Sequence, residues 1–310
     1  METQRLKETA AGLFVISATP FAANGELDLD STDRLVDFYM GRGVSGITIL
    51  GMMGEAHKLA ANESTVFLKR VLHRVAGRIP VIVGVSNAGM YNLASLAHTA
   101  MDEGAAGVMV APVAGLGTEA KLYGYYCQVF EALGDNVPVC YQDFPFVTRS
   151  EISVVTFNRL VADFPQLVML KHEEWPGLGK LSAVRKAVED GLRRVSILVG
   201  NGALYLPQEL ARGADGAMTG FAYPEMLVEV IRLWQQGEQE KAEDLFDTYL
   251  PLVRHEQQPG FGLAVRKEVL YRRGAIASPT VRVPGAVMTR SDHEELTRLI
   301  ARVEKRLEAS

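Results

Sequence analysis

Lys171 closes an apolar run, LVMLK (167–171), and His172, Glu173 and Glu174 follow at once. An ammonium group at the end of a buried strand costs solvation free energy unless it is paired or put to use. A lysine whose ammonium is partly desolvated gives up its proton more readily, and the free amine can attack a ketone to form a Schiff base. The plainer alternative is a strand-end lysine that reaches solvent or pairs with Glu173 or Glu174. Side chains alternate along a strand, so Glu173 leans to the face of Lys171, as a proton carrier or an ion-pair partner. Gln142 and Asp143 close another apolar run, PVCYQ (138–142), and Asp143 is a candidate for similar work at that strand's mouth. If Gln142 points inward, Tyr141 points outward by the same alternation. The Gln142 amide can hydrogen-bond a substrate but cannot act as an acid or base.

These residues must be held by a repeating scaffold. Eight short apolar runs recur, at 13–19, 46–50, 80–85, 107–111, 138–142, 167–171, 195–200 and 215–220. Amphipathic stretches lie between them, several opening at Ser, Thr or Asn and closing at Gly, as helices do. The runs are near-continuously apolar, as parallel strands covered on both faces should be. Eight strand–helix units predict an α/β fold, a closed (β/α)8 TIM barrel over 1–236, with a C-terminal helical extension of the same domain over 237–310. An open doubly wound sheet is the alternative, and against it no GxGxxG follows the first run. In a barrel the chemistry sits at the carboxyl ends of the strands, where Lys171, Gln142 and the GMMGE loop (51–55) fall.

Composition narrows the function. Of the 310 residues, 48% are hydrophobic and 22% charged, with a net charge of -5. No basic run stands out, which argues against a nucleic-acid partner. No stretch approaches the roughly 20 apolar residues of a membrane span, and the expected setting is the cytoplasm. Two cysteines, Cys127 and Cys140, make neither a disulfide framework nor a zinc site. No metal-binding spacing is present, so the metal expectation is none. His57 is either a substrate contact or a solvated loop residue, Glu55 is read as holding its own loop, and His255-Glu256 as a tail contact to a barrel or subunit surface.

In order and spacing, several segments together resemble the dihydrodipicolinate synthase/N-acetylneuraminate lyase family of class I aldolases, over essentially the whole chain. They are ATPFAANGELD (18–28), Gly51-x-x-Gly54-Glu55, GRIPVIVGV (77–85), APV (111–113), QDFP (142–145), LKHEE (170–174), LVGN (198–201) and GADGAMTG (213–220). The resemblance implies an eight-stranded barrel, a Schiff-base lysine at Lys171, a 2-keto acid substrate, no cofactor beyond that covalent imine, and a homotetramer or homodimer. It also implies a substrate site at Gly51, Met52, Met53, Gly200, Met218, Thr219 and Gly220, joined by Asp143 from strand five.

The chain departs from that family at four places. Met52 and Met53 replace two threonines of the strand-two loop, Ala114 and Gln142 stand for two tyrosines, and Val147 stands for an arginine that gathers a second substrate. A second resemblance fits these changes: QDxP, Lys-x-Glu, GAMTG and the tail 251–278 are similar to the 2-keto-3-deoxyarabonate (2-keto-3-deoxypentonate) dehydratases. Those remove water from a 2-keto-3-deoxy sugar acid to give 2-oxoglutarate semialdehyde. Their strand-two loop differs, with Ser where this chain has Gly54. The expectation is therefore a lyase with Lys171, Gln142 and Glu173 as catalytic residues, dehydrating such an acid. Pyruvate-dependent aldol or synthase chemistry and a non-catalytic keto-acid-binding barrel are the alternatives.

Overall fold

The computed structural model describes residues 5–308. Eight strands pair in parallel and close into a barrel: β1 (Gly12–Ile16), β2 (Gly46–Ile49), β3 (Val81–Gly84), β4 (Gly107–Val110), β5 (Val139–Asp143), β6 (Leu167–His172), β7 (Ser196–Val199) and β8 (Gly216–Ala217). Closure is made by β1 and β8, through Gly12↔Gly216 and Leu13↔Ala217. Helices follow the strands, and the doubly wound alternative is excluded: this is a (β/α)8 TIM barrel. Strand β8 is shorter than the run 215–220, yet Met218 N still donates to Val199 O and Ile16 N to Thr219 O, so the ladder continues past it.

Alternation along the strands builds two apolar cores. Phe14, Ile16, Ile82, Met109, Cys140, Met169, Leu198 and Met218 fill the barrel interior. Their neighbours Leu13, Val15, Val83, Val108, Val139, Leu170 and Val199 join the larger core beneath the helices. The pairing of β5 with β6 shifts between Val139 and Cys140, which adds Val168 to the interior set beside Met169. Beyond the shift the register holds Gln142 opposite Lys171 and Asp143 opposite His172.

Helix starts follow the sequence signals. Asp28, Thr118, Ser153 and Thr289 cap the helices 29–41, 119–133, 154–163 and 290–307 by accepting backbone N–H bonds. After the last barrel helix, Pro224–Gln235, come Gln239–Glu256, Gly262–Arg272 and Arg290–Leu307 without intervening strands, as the pattern predicts. Helix Gln239–Glu256 buries Phe246, Leu252 and Val253. Among the described residues no helix is long and apolar enough to cross a membrane.

The interior packing leaves no room at Gly46, where a Cβ would lie 2.4 Å from the Phe14 ring. Gly46→Ala is therefore expected to cost roughly 1–3 kcal/mol in urea unfolding, because a buried aromatic ring cannot yield cheaply.

Candidate active site

Lys171 lies near the end of β6 and is 5% exposed, inside the barrel wall. Its Nζ is 3.0 Å from Glu173 Oε2. The same carboxylate oxygen accepts a 2.8 Å hydrogen bond from Gln142 Nε2. Two rules assemble this triangle: register sets Gln142 beside Lys171, and alternation returns Glu173 to the same side. Gln142 is thus engaged with Glu173, and its amide fixes one face of that carboxylate without titrating.

The surroundings are apolar. Met109, Met169, Met218 and Ile16 pack in the interior, and Met53 of the strand-two loop packs against them. Gly51 faces Met109 and Ile16, while Met52 is half-buried in the turn Met52–Gly54. Burial in this interior pushes the Cys140 thiol up to about 12, although the nearby Lys171 opposes the shift. Thr219 is buried at the end of β8, where its carbonyl is paired with Ile16.

Two glycines expected to border substrate have protein side chains against their Cα. A Cβ on Gly200 would lie 2.2 Å from Glu173 Cγ, so the glycine makes room for that side chain. A Cβ on Gly220 would collide with the Arg266 guanidinium, whose Nη2 donates to Gly220 O at 2.7 Å. Arg266 pairs with Glu256, and Glu256 Oε2 accepts from Ala222 N at 3.1 Å. The tail contact foreseen at His255-Glu256 is thus made by Glu256 onto the β8 loop. Glu55 holds its loop, as expected: buried, it accepts from Lys58 Nζ at 2.9 Å, from Arg282 N at 3.0 Å and from Lys267. Burial pulls Lys267 down to about 8 against the opposing pull of Glu55. His57 is exposed.

Asp143 requires a correction. One residue beyond Gln142, it turns to the other side of the wall, by the alternation that also buries Tyr141 among Tyr126 and Phe157. Its carboxylate lies 2.7 Å from Lys180 Nζ and 3.5 Å from His172 Nδ1, contacts of charge rather than well-directed hydrogen bonds. Lys180 also meets Glu174, and His172 Nε2 donates to Gly177 O at 2.9 Å. Burial disfavours a charged His172, but Asp143 and the Gly177 carbonyl outweigh it and hold the pKa above its ordinary value. Glu209, from the helix Leu206–Ala211, completes this outer cluster, pushed up to about 7 by burial with only partial relief from His172. Its Oε2 has no hydrogen-bond partner. Sequence reasoning missed Lys180, Glu209, Arg266 and Lys267, whose burial nothing local signals.

Fold and site together define a barrel enzyme whose polar machinery sits on β5 and β6 at the carboxyl ends of the strands. The chain belongs to the dihydrodipicolinate synthetase family, whose model matches residues 9–303, and the members of that family are lyases. It is 30% identical to an L-2-keto-3-deoxyarabonate dehydratase of Azospirillum brasilense, over 94% of each chain. It is 28% identical to a 4-hydroxy-tetrahydrodipicolinate synthase of Persephonella marina, over 92% of this chain and 95% of the other. Among solved structures, a dihydrodipicolinate synthase from Rhodopseudomonas palustris superposes with a TM-score of 0.94 at 46% identity, covering 96% of this chain and 99% of that one. YagE of Escherichia coli K12, solved in complex with pyruvate, superposes at 0.86 with 25% identity, covering 95% of this chain and 98% of that one.

The outer cluster gives a pH prediction. A carboxyl raised from 4.5 to about 7 in the folded state binds its proton more tightly there than in the unfolded chain. Stability therefore falls as pH rises through that window, by on the order of 3 kcal/mol at most. Glu209→Gln should flatten the loss between pH 5 and pH 8 in urea titrations followed by circular dichroism.

Proposed function

We propose that this chain is a class I lyase in which Lys171 condenses with the C2 ketone of a 2-keto acid, and that it dehydrates a 2-keto-3-deoxy sugar acid. The observation that carries the reading is the buried contact of Lys171, Glu173 and Gln142. Glu173 takes the ammonium proton, the free amine of Lys171 adds to C2, and Glu173 returns that proton to the carbinolamine hydroxyl, which leaves as water as the protonated imine forms and restores the carboxylate. The imine withdraws electrons from C3, whose proton passes to Glu173 to give an enamine. The enamine expels the C4 hydroxyl, protonated by Glu173 as it departs as water, and hydrolysis of the imine frees Lys171. Lysine supplies the electron sink, so the reading needs no other cofactor. The substrate carboxylate lies against the Gly51–Met53 loop and the end of β8 at Met218 and Thr219, since Glu173 and Arg266 occupy the open sides of Gly200 and Gly220.

The likeness to the Azospirillum brasilense dehydratase supports dehydration. So does the residue set: Gln142 and Val147 stand where the resemblance expects a tyrosine and an arginine for synthase chemistry. The likeness to the Rhodopseudomonas palustris synthase favours the second reading, condensation of pyruvate with an aldehyde. Turnover of 2-keto-3-deoxypentonates against pyruvate plus aspartate semialdehyde separates the two. Assembly as a homodimer or homotetramer belongs to the same reading, and sedimentation equilibrium tests it.

Borohydride reduction in the presence of a 2-keto acid should trap one adduct, located on Lys171 by mass spectrometry. An adduct on another lysine, or none, removes the mechanism. Lys171→Ala should abolish both adduct and turnover. Glu173→Gln should reach the adduct more slowly but to the same final extent, and lower kcat by roughly 10²–10⁴-fold, the usual share of a general acid–base group.

A further inference from the structure

We propose that Gly200 and Asn201, in the loop after β7, form a fixture that aims Glu173 at the imine, which makes Asn201 a positioning residue for proton transfer. The inference rests on the reading that Glu173 carries the protons. Glu173 stands beyond the end of β6, where the strand no longer fixes it on both sides. Its N–H donates to Asp143 O at 2.9 Å, on the β5 side. On the β7 side its carbonyl accepts a 2.9 Å hydrogen bond from Asn201 Nδ2. Gly200 N in turn donates to His172 O at 2.9 Å, tying the loop to the residue before.

The side chain of Glu173 then runs across Gly200. A Cβ there would lie 2.2 Å from Cγ, 2.6 Å from Cδ and 2.5 Å from Oε1, so any larger residue evicts the carboxylate from its place beside Lys171. The loop keeps an uncommon backbone to do this. Asn201, Gly202 and Ala203 have φ of 51°, 65° and 61°, three left-handed residues in succession. Asparagine tolerates that conformation better than other side-chain-bearing residues, and its amide is free to reach the neighbouring strand end. Positive φ at residues with side chains clusters at this end of the barrel, at Leu50, Glu55, Arg149, Asn201 and Ala203 in the loops after β2, β5 and β7. Such conformations persist where surrounding structure over-determines them, as at catalytic loops. Here Ala203 is fully buried, and the Gln257 side chain from the tail fills the space beside Gly202.

Two variants separate aim from structure. Gly200→Ala displaces the Glu173 carboxylate; Asn201→Gly removes the donor while keeping a residue that accepts positive φ. With pyruvate as probe, the borohydride adduct on Lys171 reports imine formation, and deuterium exchange of the pyruvate methyl group, followed by NMR, reports proton transfer at C3. Given time to reach equilibrium, both variants should form the adduct to the wild-type extent. Exchange should slow about 10²-fold in Gly200→Ala, matching Glu173→Gln, and at least about tenfold in Asn201→Gly. Wild-type exchange in both variants beside slow exchange in Glu173→Gln overturns the fixture and leaves the function reading intact. Parallel loss of adduct and exchange in both also overturns it, as a structural effect only. No adduct in the unaltered protein, or full exchange in Glu173→Gln, removes the reading of Lys171 or Glu173 itself.

Discussion

A buried ammonium and a buried carboxylate 3.0 Å apart set the terms for everything else at the mouth of this barrel. Neither ion is tolerable alone among methionines and isoleucine, where water is scarce and an unpaired charge is costly. Together they form a pair with no net charge. The Gln142 amide holds one oxygen of the carboxylate and cannot take the proton itself. The apolar lining thus has two effects: it couples the pair tightly, and it keeps the pair's electrostatics from leaking into solvent.

The constraint beneath the pair is strand register. Positions 142, 171 and 173 face inward because β5 and β6 align after a shift at Val139 and Cys140. Positions 143 and 172 consequently face outward, where Lys180, Glu174 and Glu209 meet them. One pair of strands therefore carries two charged clusters on opposite sides of a wall one backbone thick. The outer cluster joins β5 and β6 to the surrounding helices, the inner one lines the barrel mouth, and no side chain belongs to both.

Much of this architecture is legible in the sequence because it follows from periodicity. Continuous apolar runs mark strands covered on both faces, and their number and spacing point to a closed barrel. Alternation also selects Gln142 over Tyr141 and brings Glu173 to Lys171. The same rule, applied one residue further, turns Asp143 outward, so its place at the strand mouth is a misleading cue. Glu55 reads as a loop anchor from its place in GMMGE, but Lys267 and Arg282, which bind it, lie more than two hundred residues away. Glycines 200 and 220 look alike as small residues at strand ends. Only the neighbouring Glu173 and Arg266 decide what fills the space beside each, and that information is tertiary.

The tail does more than cover the barrel. Glu256 and Arg266 bind the β8 loop, Gln257 closes over Gly202, and Lys267 and Arg282 grip Glu55 after β2. Three of the loops that surround the lysine are therefore completed by residues 256–282, which leave the ribosome after all eight strands. A chain cut before residue 256 would therefore hold Lys171, Glu173 and Gln142 without the contacts that complete the loops around them.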